Sequence, residues 1–190
     1  TDVCGGGVVF GIAYPAADPN SLAIGATWDG NNGGPFNWSG GAIDFTTAAD
    51  RITSFSQRSA TLTDIFAPGA LITGANATGT TATYAGTSQA TPHITGIAAL
   101  AEQLAVRDLG RRLTPAEFTS LLQSTGVTIN DGDNENDNVV NTGLNFKRVD
   151  MEALANGIET LAAHDEIHGQ IWNDANANAA LDPAEAGLAG

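Results

Sequence analysis

The sequence of 190 residues has one cysteine, one lysine and no long apolar run. A single cysteine excludes an intrachain disulfide and a zinc site built on several thiolates. No apolar run approaches the roughly 18 residues that a membrane-spanning helix needs, so we expect no membrane span. Seven basic residues face 21 acidic ones, for a net charge of −14. Because such a surface repels phosphate groups, we expect neither nucleic acid nor an anionic membrane as a partner.

The first residues, TDVCGGGVVF, contain neither an initiator methionine nor the basic flank of a signal peptide. We therefore expect the chain to be a piece of a longer protein. The sequence has 23 glycines and 42% hydrophobic residues. Frequent turns around a buried core favour an α/β or β-rich fold over a helical bundle.

Short apolar runs separated by turn residues predict strands in the first half of the chain. These runs are Ser21–Trp28, Ala42–Thr46, Arg51–Ser56 and Asp64–Gly74. After Ser88 the apolar spacing becomes helical until Gly110, with Pro92 near the first turn of the predicted helix.

Two further helices are predicted in the second half of the chain. The sequence TPAE predicts a capping box, in which Thr114 caps a helix that runs to about Gln123. A short strand then precedes a helix from about Asp150 to Ala163. Between the two predicted helices, the segment Asn130–Asn138 has acidic residues at alternate positions. It has no acidic residue at the end of a 12-residue frame, as a calcium loop needs, so a solvated turn is favoured.

The segment YAGTSQATPHITGIAAL, from Tyr84 to Leu100, places Ser88 where a glycine turn meets a predicted helix. A serine at a helix N-terminus has a backbone N–H that the helix does not use. This N–H and the helix dipole can stabilise an oxyanion while the hydroxyl attacks a carbonyl carbon. On the short pattern Gly-Thr-Ser alone, a simple helix N-cap is the favoured role of Ser88, since serine often caps helices.

The longer segment GTSQATPHITGIAAL resembles the nucleophile motif of the subtilisin-like serine peptidases. The residues that match are Gly86, Thr87, Ser88, Ala90, Thr91, Pro92, His93 and Gly96. AYPAADPNSLAIGATW, ITSFSQRS and DIFAPGALITG resemble other segments of that family in the same order, so the resemblance covers roughly residues 12–163. It implies an α/β fold with a parallel sheet and helices on both faces, present here as the C-terminal part of the peptidase domain, residues 1–163.

The resemblance implies that Ser88 is the nucleophile of a serine endopeptidase and that Ser88 and Thr87 form part of the oxyanion hole. The family's oxyanion asparagine is not found, because residues 1–13 contain no Asn. The family's catalytic Asp and His belong to motifs that precede the matched segments. His93 lies roughly 140° around the helix from Ser88 and is not expected to be the base. We therefore expect the isolated chain to be inactive.

The tail, residues 164–190, resembles the linker and opening of an SdrD B-like repeat module, a calcium-binding β-sandwich of bacterial surface and secreted proteins. Its spacing also matches much of a 12-residue EF-hand-like loop. The candidate calcium ligands are Asp174, Asn176, Asn178, Asp182 and Glu185. Ala179 stands where such a loop has its glycine, so the sequence leaves open whether the loop binds calcium.

The family resemblance and the acidic surface predict an extracellular peptidase that acts on proteins or peptides. Its attachment to a cell surface would depend on downstream modules. The alternative from another functional class is a non-catalytic surface or adhesion protein that retains a degenerate peptidase fold as a scaffold.

Overall fold

The computed structural model describes residues 11–165 of the chain. Its elements follow in chain order as β1 (Ile24–Thr27), β2 (Phe36–Asn37), β3 (Ile43–Asp44), β4 (Ile65–Pro68), β5 (Ile72–Ala75), β6 (Thr81–Tyr84), α1 (Thr87–Asp108), α2 (Pro115–Thr125), β7 (Val127–Asn130), β8 (Asn145–Arg148) and α3 (Met151–Asp165). Within this range no helix is both long enough and apolar enough to cross a bilayer.

The central sheet has four strands in the order β1-β4-β8-β7. Strand β4 runs parallel to β1 and to β8, whereas β7 pairs with β8 in the antiparallel direction. Two short antiparallel hairpins, β2–β3 and β5–β6, stand apart from this sheet. The predicted α/β class is confirmed, and the antiparallel β7 makes the sheet mixed.

Strand β4 is covered on both faces. Ile65 and Ala67 belong to a core that includes residues of all three helices, such as Ile94, Leu122 and Ile158. Phe66, which points to the opposite face because side chains alternate along a strand, packs with Ile52, Ile129 and Phe146. Within residues 11–165 the three helices therefore pack on one face of the sheet, and the loop that carries Ile52 covers part of the other.

The segment Arg51–Ser56 differs from its prediction as a strand. It forms only an isolated bridge between Ile52 and Thr27. The backbone N–H of Ile52 donates to the Glu135 carboxylate at 3.3 Å, and that of Ser54 donates to the Asp44 carboxylate at 3.1 Å. Because side chains take these donors, the segment has no continuous backbone ladder, although its apolar and hydroxyl residues fit a strand.

Helix α2 begins as predicted. The Glu117 backbone N–H donates to Thr114 Oγ1 at 3.2 Å, and the Thr114 backbone N–H donates to Glu117 Oε2 at 2.7 Å. Pro115 occupies the first helical turn, where a missing N–H has little cost. The predicted capping box is therefore confirmed, and the helix ends two residues beyond the predicted Gln123, at Thr125.

Acid should weaken this helix start. The Arg111 guanidinium, together with the Thr114 backbone and hydroxyl donors, lowers the pKa of Glu117 from 4.5 to about 2. A carboxyl whose pKa is lowered by folding stabilises the fold above its unfolded pKa, and this contribution is lost as the pH falls from 4.5 through about 2. We expect Glu117→Gln to reduce the drop in melting temperature between pH 6 and pH 3. An unchanged drop in thermal unfolding would show that the capping carboxylate does not contribute.

The prediction of a solvated turn for Asn130–Asn138 is wrong at Asp131. Its side chain is fully buried, and Oδ1 lies 2.8 Å from Nη1 of the buried Arg58. Asp131 Oδ2 accepts hydrogen bonds from the backbone and hydroxyl of Thr142 at 2.6 and 2.7 Å. Burial raises the pKa of the nearby Asp137 carboxyl. The loop is therefore a packed part of the fold that closes over the sheet, and its acidic residues are not uniformly solvated.

Candidate functional site

Ser88 is the second residue of α1, and it is exposed. Gly86 precedes the helix at a φ of 155°, a conformation that L residues rarely adopt, and it provides no side-chain cap. The Gly86 carbonyl accepts from the backbone N–H groups of Gln89 and Ala90 at 3.0 and 3.3 Å. Among the described residues no backbone carbonyl accepts from the Thr87 or Ser88 N–H. The exposed hydroxyl thus stands beside unused donors at the positive end of a helix of 22 residues.

Gly69 ties this turn to the central sheet. The Gly86 N–H donates to the Gly69 carbonyl at 2.8 Å, and the Gly69 N–H donates to the Thr27 carbonyl at 3.0 Å. Thr27 ends β1, and Gly69 directly follows β4. Ser88 therefore lies at the carboxyl edge of two parallel strands, which is where open α/β sheets form their ligand sites.

The fit around Gly69 leaves no room for a side chain. A Cβ at this position would lie 2.6 Å from the Ala26 Cβ, 2.8 Å from the Gly86 carbonyl oxygen and 3.1 Å from the Ala90 Cβ. We expect Gly69→Ala to lower the free energy of unfolding by about 1–3 kcal/mol, because the turn and the start of α1 must move apart. The measurement is denaturant unfolding, with Gly74→Ala as the matched control, since a Cβ at Gly74 meets nothing within 4 Å. Equal stability of the two variants would contradict this close packing.

His93 is held by its own helix. Its Nδ1 lies 2.8 Å from the carbonyl oxygen of Gln89, and the ring is partly buried. That His93 is not the base for Ser88 stays a prediction, because this contact involves Nδ1 alone. Pro92 lies deeper in the helix than predicted, because α1 already begins at Thr87. The proline therefore deprives the Ser88 carbonyl of its usual donor four residues later.

No acid or base is brought to the Ser88 hydroxyl within the described range. Among residues 11–165 no side chain is hydrogen-bonded to it. His164 falls in the last turn of α3, and His168 lies outside the described residues. The predicted calcium ligands Asp174, Asn176, Asn178, Asp182 and Glu185 also lie outside them, so the calcium loop stays a prediction.

A cavity of about 530 Å³ opens beside the start of α1. Thr87 and Thr91 of α1 line it, together with residues that precede the helix in sequence, among them Tyr14, Pro15 and Phe55. The lining contains no charged residue. Ser88 stands next to this cavity in sequence without lining it. Phe55 was not predicted as a site residue, although it lies in the segment ITSFSQRS, whose resemblance to the family was the available sequence signal.

Comparison with known proteins identifies the family of this chain. The model of the subtilase family matches residues 10–150. The chain is 39% identical over 92 residues to M-protease of Shouchella clausii, a match that covers 48% of this chain and 19% of that protein. It is 54% identical over 60 residues to an extracellular serine proteinase of Thermus sp., covering 30% of this chain and 14% of the relative. It is also 41% identical over 86 residues to an intracellular serine protease of Paenibacillus polymyxa, a match that covers 45% of this chain and 25% of that protein.

One solved structure shares the fold. The prenylagaramide maturation protease PagA superimposes with a TM-score of 0.56 at 24% identity, over 76% of this chain and 44% of that chain. The chain thus spans less than half the length of the relatives and of the structure that it matches. Since the family model covers most of the residues, the chain belongs to the subtilase family of serine peptidases.

Proposed function

We propose that this chain carries the nucleophile segment of a subtilisin-like serine endopeptidase and that Ser88 is its nucleophile. The observation that carries the proposal is the position of Ser88, exposed at the N-terminus of α1 and tied through Gly86 and Gly69 to the carboxyl edge of the sheet. Membership of the subtilase family supports the same role. The serine belongs to a Ser-His-Asp triad whose histidine and aspartate come from outside residues 11–165.

In this mechanism the Ser88 Oγ attacks the carbonyl carbon of the scissile peptide bond and passes its proton to the histidine. The negative charge that develops on the carbonyl oxygen is stabilised by the Ser88 N–H, beside which Thr87 shapes the oxyanion hole. The histidine then protonates the leaving amine, and water hydrolyses the acyl-enzyme to regenerate Ser88. Without the histidine the hydroxyl keeps its proton and is a weak nucleophile. The isolated chain is therefore inactive.

The substrate is a protein or peptide, and the protein acts outside the cell. The name of the extracellular Thermus relative and the acidic, lysine-poor composition support the location, whereas the Paenibacillus relative is named an intracellular protease. We expect the native protein to be recovered from the culture medium and not from washed cells or their contents. Recovery from the cell contents alone would overturn this part of the proposal.

Labelling by a fluorophosphonate tests the function directly, since this probe reacts with activated serines. We expect the intact protein that contains this chain to be labelled, and both its Ser88→Ala variant and the isolated chain to stay unlabelled. Labelling that survives the substitution would overturn the assignment of Ser88. No labelling of the intact protein would instead favour the non-catalytic scaffold.

A further inference from the structure

Four aromatic side chains, Trp28, Phe36, Trp38 and Phe55, form a contiguous group that we call the aromatic cluster. Its rings contact one another at centroid distances of 5.0 Å for Trp28–Phe36 and 6.0 Å for Phe36–Trp38. Trp38 meets Phe55 edge to face at 4.9 Å, with an interplanar angle of 82°. Phe36 and Trp38 belong to the hairpin β2–β3, so the cluster joins this hairpin to the segment that carries Phe55.

The buried carboxylate of Asp44 fixes both partners of the edge-to-face pair. Its Oδ2 accepts from the indole Nε1–H of Trp38 at 2.5 Å and from the Ser54 hydroxyl at 2.9 Å. Its Oδ1 accepts from the Ser54 backbone N–H at 3.1 Å. Asp44 is only 3% exposed, so water does not compete for these bonds. One carboxylate therefore holds the Trp38 ring and the residue next to Phe55 in a fixed relation.

The hairpin is itself anchored to the rest of the molecule. The backbone N–H of Phe45 donates to the Asn136 carbonyl at 2.7 Å, and that of Asn138 donates to the Ile43 carbonyl at 3.2 Å. The Ile43 N–H donates to Asn138 Oδ1 at 2.7 Å. These bonds dock the hairpin on the packed loop that contains Asp131. Trp38 therefore contacts Phe55 from a hairpin whose position is fixed by these hydrogen bonds.

Phe55 has a second side that faces the candidate site. It lines the cavity that Thr87 and Thr91 border at the start of α1. We propose that Trp38 is a positioning residue, which holds the Phe55 ring as an apolar wall for a substrate side chain near the scissile bond. This inference rests on the proposed peptidase function. Asp44 and the hairpin β2–β3 then influence which substrate side chains the cavity accepts, without contacting the substrate themselves.

Removal of Trp38 frees the Phe55 ring to turn away from the cavity, because it loses its edge-to-face partner. An aromatic pair of this kind contributes about 0.5–1.5 kcal/mol beyond its buried area. A loss of this size in the binding of an apolar side chain corresponds to roughly 3- to 10-fold in selectivity. The reaction at Ser88 itself should be little affected, because among the described residues no hydrogen bond or ring contact joins Trp38 to α1.

The experiment uses the intact protein and peptide pairs that differ by Leu or Gly at single positions on either side of the cleaved bond. The position with the largest Leu preference in the wild-type protein serves for all variants. We expect Trp38→Ala to lower the Leu/Gly ratio of kcat/KM about 3- to 10-fold, mainly through a higher KM for the Leu peptide. Trp38→Phe keeps a ring beside Phe55 but loses the indole N–H that Asp44 holds, so its ratio should fall less than that of Trp38→Ala.

Phe146→Leu is the matched control, because Phe146 pairs with Phe66 at 5.2 Å on the opposite face of the sheet, away from the cavity. It should destabilise the fold and leave the ratio unchanged. An unchanged Leu/Gly ratio in both Trp38→Ala and Trp38→Phe, with normal fluorophosphonate labelling, overturns the role of Trp38 but not the proposed peptidase function. An equal loss of the ratio in Phe146→Leu has the same consequence. Failure to label the wild-type protein overturns the proposed function, and this inference with it.

Discussion

Replacing Ser88 by alanine in the intact protein should reduce peptide hydrolysis by at least about 10⁴-fold in kcat, with little change in KM. The hydroxyl is the attacking group in the proposed mechanism, so its removal abolishes formation of the acyl-enzyme. Substrate binding depends on the cavity and on the backbone, which the substitution leaves in place. The measurement is steady-state hydrolysis of a chromogenic peptide, together with circular dichroism to show that the fold is retained.

Ser124→Ala is the matched control for this loss. Ser124 also lies on a helix and is exposed, its hydroxyl donates to the Leu121 carbonyl at 3.3 Å, and it does not line the cavity. It should leave kcat and KM unchanged. A Ser88→Ala protein that retains most of its activity would show that the reaction uses a different nucleophile.

The largest effect on stability is expected at the buried ion pair between Arg58 and Asp131. The side chains are 3% and 0% exposed, and Nη1 lies 2.8 Å from Oδ1. Neither atom is aligned for a hydrogen bond within the described residues, so the contact is chiefly electrostatic. Arg58→Met removes the cation and leaves the Asp131 carboxylate buried with only its Thr142 donors. We expect the free energy of unfolding to fall by about 3–5 kcal/mol.

Denaturant unfolding measures this loss, and two further variants separate charge from packing. Arg107→Met removes an arginine whose side chain is 62% exposed and should change stability little. The double variant Arg58→Met, Asp131→Asn removes both charges and should be more stable than Arg58→Met alone, because no unpaired charge stays buried. A double variant less stable than the single one would show that the cost lies in lost packing instead.

Local signals allowed the helices to be predicted from the sequence. The Thr114 capping box and Pro115 define the start of α2 within four residues, and the structure contains both contacts of the box. The α/β class followed from the resemblance and from short apolar runs such as the one that contains β1. These features depend on neighbours in the chain, so a sequence pattern is sufficient to find them.

The remaining features depend on residues that are distant in sequence. Arg58 meets Asp131 across 73 positions, and the acidic run around Asp131 has the composition of a solvated loop. The close approach of Gly69 to Gly86 and the contact of Trp38 with Phe55 likewise arise from tertiary packing. Ser88 could be singled out from its motif, whereas the cavity beside it and the support behind Phe55 could not.

Peptide mapping of the fluorophosphonate adduct tests the role of Ser88 most directly. The intact protein is labelled, digested and analysed by mass spectrometry, so that the modified residue is read from fragment masses. The account predicts one adduct, on the Oγ of Ser88, and none after the protein is denatured before labelling, because activation requires the folded site. An adduct on another residue, or a native protein without any adduct, would contradict the assignment of Ser88 as the nucleophile.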